Sequence, residues 1–186
     1  MGIKIPALNA TSLDIALLTW VHDHAVPGST PVWQFISNYT TFTSISLGLI
    51  VLIISVARKS KPMRIRFFMI AVVLITVPLI SQGLKLVIDR ERPFVTYPYI
   101  EKRSTGGDSS FPSGHTIEAF AMAALLSVLF RKKRIIISVY IWAFAVGYSR
   151  MALGVHYPSD ILAGILIGTF IGCSIPWIFH RAGLTG

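Results

Sequence analysis

Five stretches of the chain are continuously apolar, and short polar segments separate them. They fall at about residues 37–57, 65–88, 113–130, 134–150 and 158–179. A helix that crosses a bilayer needs ~20 apolar residues, within a range of roughly 17–25. The third and fourth stretches lie at the short end of that range, so they are expected to extend into the adjoining loops or to cross a locally thin region. None of the five alternates with a period of two, and in lipid a continuous apolar run satisfies its backbone only as helix. The pattern predicts an all-α integral membrane helical bundle of about five transmembrane helices, forming one domain over residues 1–186. Pro78, inside the second stretch, is expected to kink it. The fifth carries Gly164, Gly168 and Gly172 on one stripe, and small residues at this spacing let helices approach closely. Asp160 lies on the same stripe, so the stripe is expected to pack inside the bundle.

Residues 11–25, "TSLDIALLTWVHDHA", follow a different pattern. Leu13, Ala16, Leu17, Trp20 and Val21 gather at helical spacing, in a segment too short to span. Two readings stand: an amphipathic helix lying in the membrane interface, or a helix packed on the bundle as in a globular protein. His22 and His24 read as interfacial polar residues. At the N-terminus Lys4 is followed by Pro6, Asn9 and Asp14 without a clean apolar core, so no signal peptide is expected.

Composition agrees with a membrane protein. Of 186 residues, 53% are hydrophobic and only 13% charged, against about 25% charged in soluble domains. The net charge of +9 would fit nucleic acid if the cations formed one face, but they come in short clusters between apolar runs. No nucleic-acid partner is expected. Cys173, the one cysteine, lies in an apolar run, so no disulfide forms within the chain and the compartment cannot be read from it. The clusters instead set orientation. Arg58, Lys59, Lys61, Arg64 and Arg66 carry no intervening acid, nor does the run Arg131–Arg134. Both loops should be cytoplasmic, with the N-terminus outside and the C-terminus inside.

That topology gathers three polar segments at the outer face: "KLVIDRERP" (85–93), "PSGH" (112–115) and "SRMALGVHYPSD" (149–160). Lys85, Arg92 and Arg150 taken singly read as side chains snorkelling to headgroups. Converging, they suit an anion with several oxygens, because arginine's fork matches phosphate bidentately and lysine adds a point charge. His156 and Asp160 are four apart, with Pro158 between them in what reads as a helix's first turn. A carboxylate there reaches back to one ring nitrogen and leaves the other free as a nucleophile. Alone, Asp160 would read as a favourable acid at a helix N-terminus. His115 supplies a second histidine, so one can attack phosphorus while the other protonates the leaving oxygen. Gly114 lets the backbone come close, and the Ser113 hydroxyl with the amides of a helix start can cradle an anion. Glu118, one turn on, either hydrogen-bonds His115 and raises its pKa, or pairs with a neighbouring cation or headgroup. Two histidines and an aspartate could bind zinc, but three cations beside a dication are electrostatically unfavourable, and no paired-carboxylate cage for magnesium is present. Neither a metal nor a cofactor is expected.

These segments resemble the type-2 phosphatidic acid phosphatase superfamily, which also includes the vanadium haloperoxidases. Its signature is a lysine, six residues and Arg-Pro; then Pro-Ser-Gly-His; then Ser-Arg, five residues, His, three residues and Asp. It reads here as Lys85 to Arg92-Pro93, Pro112 to His115, and Ser149-Arg150 with His156 and Asp160. The haloperoxidases are larger and soluble, so the membrane lipid phosphatases are the nearer likeness. The resemblance implies that His156 forms a phosphohistidine, Asp160 orients it, and His115 is the general acid. It also implies that Lys85, Arg92 and Arg150 bind phosphate, assisted by Ser113 and Gly114, without a metal. Expected partners are the bilayer and a lipid phosphate, for a monomer in a bacterial inner membrane with its site facing the periplasm. Undecaprenyl pyrophosphate is the favoured substrate; lipid A 1-phosphate, phosphatidylglycerophosphate and phosphatidic acid are the others. Loop 94–111 is expected to select among them through Phe94, Tyr97, Tyr99 and a flexible Gly106-Gly107, with Lys102 and Arg103 on a second phosphate or on anionic lipid. A lipid transporter on the same bundle is the non-enzymatic alternative. It would need polar residues near the midplane of several spans, whereas here they crowd one face.

Overall fold

The computed structural model describes residues 10–107 and 109–184. Lys4, Pro6 and Asn9, which bear on the signal-peptide reading, lie outside the described residues. Eight helices follow in order: α1 (Ser12–Asp23), α2 (Thr30–Asn38), α3 (Thr40–Ala57), α4 (Lys61–Val87), α5 (Pro93–Thr96), α6 (Gly114–Phe130), α7 (Lys133–Ala152) and α8 (Pro158–Arg181). Helices α3, α4, α7 and α8 are long and apolar enough to cross a membrane. They turn apolar rows outward at helical spacing: Ile45, Leu49 and Ile53 on α3; Ile137, Ile141 and Phe144 on α7; Leu162, Leu166 and Phe170 on α8. In lipid such rows need no polar partner.

Helix α6 explains the short third stretch. Its 17 residues measure ~25 Å, and it packs against α3, α4, α7 and α8, so its neighbours rather than lipid cover it. Ile117, Phe120, Ala121, Ala123, Ala124 and Leu125 are all buried. The glycine stripe of α8 faces it. A Cβ at Gly164 would stand 2.9 Å from Thr116 Cβ, and at Gly168 and Gly172 it would run into the backbone carbonyls of Ile117 and Ala121. Only bare backbone fits there, so the stripe packs inside the bundle.

The main departure from the expected spans is at the first stretch. The first stretch breaks at Tyr39, which caps both α2 and α3, so the spanning helix starts at Thr40 rather than near 37. Segment 30–38 is a separate helix with Pro31 in its first turn; its N-cap Ser29 makes no side-chain cap bond, and its hydroxyl accepts from Trp33 Nε1 at 3.1 Å instead. Helix α4 runs unbroken through Pro78. Helix α1 packs on the bundle through Leu18, Val21 and Asp14, which are buried, while Leu13, Leu17 and Trp20 stay exposed.

Candidate active site

The C-terminal ends of α4 and α7 and the N-terminal ends of α6 and α8 meet at one end of the bundle. The two basic loops lie at the other. Between the meeting ends is a cavity of about 600 Å³ whose lining includes Lys85, Arg92, Gly114, His115, Arg150 and His156. Leu74, Val77 and Pro78 of α4 continue it as an apolar wall, with Thr41 and Glu118 also on its surface.

Local geometry explains how each residue arrives there. Lys85 stands in the last turn of α4. Arg92 caps α5 and is buried, with its guanidinium on three carbonyls: Nε donates to Gly107 O at 2.5 Å, Nη1 to Val155 O at 2.9 Å and Nη2 to Ser109 O at 3.0 Å. Arg150, near the end of α7, donates to Ser37 Oγ of α2 and, at 3.3 Å, to Thr105 O. Both arginines are only 2% exposed, so their charge acts in a medium that screens it poorly. Gly154 turns the chain from α7 toward α8 at φ +70°, a conformation that favours glycine, and a Cβ there would strike Glu101 O. The next residues are Val155 and His156.

His156 is 2% exposed. Its Nδ1 lies 3.5 Å from Asp160 Oδ2, an ion-pair distance rather than a short hydrogen bond, and its Nε2 lies 3.4 Å from Arg92 Nη1. Burial drives the imidazole down from its usual 6.5 to about 4, outweighing the opposing pull of the Asp160 carboxylate. Burial thus favours the neutral ring near pH 7. Asp160 is fully buried in the first turn of α8. Its Oδ1 accepts from Arg90 Nη1 at 2.5 Å; its Oδ2 accepts from Ser110 Oγ at 2.5 Å and from Tyr157 N at 2.9 Å. His115, in the first turn of α6, lines the cavity and has no hydrogen-bond partner among the described residues.

Several expected contacts are placed differently. Ser113 is fully buried beside the cavity rather than on its surface. Its hydroxyl accepts from Thr116 Oγ1 at 2.9 Å, leaving Gly114 as the lining residue. Glu118 does not bond His115: its Oε2 accepts from Thr41 Oγ1 of α3 at 2.7 Å. In loop 94–111, Thr105, Gly106 and Gly107 line the cavity, not Phe94, Tyr97 or Tyr99. Gly106 is tight against Arg92, where a Cβ would sit 3.0 Å from Nη1. Lys102 lies over the Phe94 ring and Arg103 pairs with Glu101, both away from the cavity.

Two residues that the sequence reading passed over complete the surroundings of Asp160. Arg90, 4% exposed, bridges Asp160 and Asp14 of α1, with Nη2 2.8 Å from Asp14 Oδ2. Asp14 also accepts from Ser159 N at 2.8 Å and Ser159 Oγ at 2.6 Å. Burial raises the Asp14 pKa, but the hydrogen bonds from Ser159 and Arg90 outweigh it and hold the carboxyl below its usual 3.8. An acid on the apolar α1 segment and an arginine inside the first motif were the available signals.

Comparison with known proteins places the chain in a family. The sequence profile of the PAP2 superfamily matches residues 66–184. The chain is 41% identical over 91 residues to a lipid A 4'-phosphatase of Bacteroides thetaiotaomicron, covering 49% of this chain and 40% of that protein. It is 34% identical over 93 residues to the undecaprenyl-diphosphatase BcrC of Bacillus subtilis, covering 50% of this chain and 47% of that protein. The chain thus spans less than half the length of these two relatives. Among solved structures, a transmembrane PAP2-type phosphatidylglycerolphosphate phosphatase from Bacillus subtilis superposes with a TM-score of 0.75 at 24% identity, over 91% of this chain and 86% of that one. With its apolar spans and the cavity at one end of them, the chain is a multi-pass membrane protein and belongs to the PAP2 superfamily.

Proposed function

We propose that the chain hydrolyses a terminal phosphate from a lipid diphosphate, with undecaprenyl pyrophosphate as the substrate, on the outer face of a bacterial inner membrane. The observation that carries this reading is the single cavity in which Lys85, Arg92 and Arg150 meet two histidines above an apolar wall. Three cations suit the charge of a diphosphate, and Leu74, Val77 and Pro78 offer a hydrocarbon chain a way out toward the bilayer. His156 Nδ1 faces Asp160, so Nε2 is the nitrogen that attacks the terminal phosphorus. The bond to the bridging oxygen breaks, His115 gives that oxygen its proton, and the lipid monophosphate leaves. Water then attacks the phosphohistidine, with His115 taking its proton, and inorganic phosphate is released. Lys85 and the two arginines hold the charge that builds on the equatorial oxygens. Gly114 and the start of α6 offer backbone N–H groups to the same anion, and no step of this scheme uses a metal.

A second reading, removal of a phosphate from lipid A, is favoured by the 41% identity to a lipid A 4'-phosphatase. A phosphate-release panel in EDTA over undecaprenyl pyrophosphate, lipid A, phosphatidylglycerophosphate and phosphatidic acid decides between them. Fastest release from undecaprenyl pyrophosphate supports the first reading, and preference for another lipid overturns it. Vectorial lipid movement that survives in the double variant His115→Ala, His156→Ala would indicate a transporter. Orientation is tested by a cysteine at Ser104: labelling in intact cells supports an outward site, and labelling only after permeabilisation contradicts it.

A further inference from the structure

We infer that Asp14, on the N-terminal helix, is a positioning residue for phosphoryl transfer, acting on His156 through Arg90 and Asp160. The inference rests on the reading of His156 as the nucleophile. Asp14 lies outside residues 66–184, the part of the chain that the family profile covers.

Asp160 can accept about four hydrogen bonds. Arg90, Ser110 and the Tyr157 amide take three, and the fourth direction faces His156 Nδ1 at 3.5 Å. The weight of Asp160 on His156 therefore depends on how far Arg90 draws the carboxylate to itself. Alone with Asp160, the guanidinium would cancel its charge. Asp14 prevents this by taking Nη2 of Arg90, so that two carboxylates share one cation and the buried cluster keeps one net negative charge. Asp14 also fixes Arg90 in space. The planar guanidinium is tied to Asp14 at one nitrogen and to Asp160 at another, and lies 4.1 Å from the Tyr157 ring centroid. Ser159 binds the assembly together: its hydroxyl accepts from Arg90 Nη1 at 2.8 Å and donates to Asp14 Oδ2 at 2.6 Å. Side chains of Asp14, Arg90 and Asp160 are 6%, 4% and 0% exposed, so water screens none of these interactions. Residues that orient a reacting group from behind, when altered, typically cost roughly 10–100-fold in activity at metal sites, and the same geometric logic applies here.

The test measures kcat, KM, vanadate inhibition and melting midpoint for Asp14→Asn, Asp14→Glu and Leu18→Ala beside the wild type and His156→Ala. Vanadate serves as a mimic of the five-coordinate phosphorus. Asp14→Asn keeps the shape and removes the charge. It should lower kcat roughly 10-fold and weaken vanadate inhibition in parallel, with KM within about twofold, and Asp14→Glu should restore part of the rate. Leu18, buried on the same helix, is the packing control, so Leu18→Ala should lower the melting midpoint and leave kcat at the wild-type value. Wild-type kcat in Asp14→Asn, a change confined to KM, or the same kcat loss in Leu18→Ala each overturns the inference. Should Asp14→Asn fail to fold, Ser159→Ala removes the hydroxyl shared by Asp14 and Arg90. A several-fold fall in kcat at constant KM then supports the inference and an unchanged kcat overturns it. Full phosphate release by His156→Ala contradicts the nucleophile assignment itself, and the inference falls with it.

Discussion

The seam between α6 and α8 and the cavity at one end of the same two helices are built on opposite principles. Along the seam, glycines remove side chains until backbone meets backbone, and what remains is uncharged. A few residues away, at the ends, Arg92, Arg150, His156 and Asp160 are as deeply buried as the core, yet every one is polar. The seam holds by shape. The site holds by pairing buried charge: Arg92 on three carbonyls, and Asp160 on Arg90, Ser110 and a backbone amide. Rigidity of the first kind allows the second, since charged groups prepositioned in a dry site need the scaffold to hold them.

This contrast can be broken at either side. The largest effect should come from the site: Arg150→Ala should lower kcat/KM by roughly 10²–10³, or ~3–4 kcal/mol of barrier, as for a lost oxyanion donor, while the melting midpoint moves little. Steady-state phosphate release beside a melting curve in detergent checks both halves. On the seam the pattern reverses. Gly168→Ala forces a Cβ into the Ile117 carbonyl and should cost about 1–3 kcal/mol of stability, with activity per folded molecule retained.

Acid should separate the two regions further. The His156 pKa falls from 6.5 to about 4 on folding, so the unfolded chain binds the extra proton more readily. Its contribution to stability is complete above about pH 6.5 and is lost as pH falls from there through 4. The glycines of the seam do not titrate. Unfolding midpoints between pH 7 and pH 4.5 should therefore fall in the wild type, and a His156→Gln variant should show a shallower fall. The smallest effect is expected at Glu118, whose hydrogen bond runs to Thr41 rather than His115. Glu118→Gln should leave the rate within about twofold and the pH profile unmoved.

How much of this was legible in the sequence follows the same division. Span positions came from apolar runs, and the glycine stripe from its four-residue spacing, because both are periodic along the chain. The cavity-lining groups Lys85, Arg92, His115, Arg150 and His156 came from spacings that the chemistry and the family resemblance both restrict. Arg90 and Asp14 stood out singly, but their pairing was not legible, because they are 76 residues apart and only the fold brings their charges together. Ser113 and Glu118 were assigned from their neighbours in sequence. The side chains instead turn to Thr116 within α6 and to Thr41 on α3, and no local pattern fixes such a choice of rotamer. The break at Tyr39 lies among Ser37, Asn38, Thr40 and Thr41, at the polar edge of the first stretch, where hydropathy does not fix a helix boundary to within a few residues.

In the proposed mechanism His156 carries the phosphoryl group. Purified protein in detergent with EDTA, given undecaprenyl pyrophosphate labelled with ³²P at the terminal phosphate and quenched within one turnover, tests it most directly. An acid-labile, base-stable phosphoprotein should form in the wild type, be absent from His156→Ala, and decay as inorganic phosphate appears. Phosphate release at the wild-type rate from His156→Ala, or label held on another residue, would contradict it.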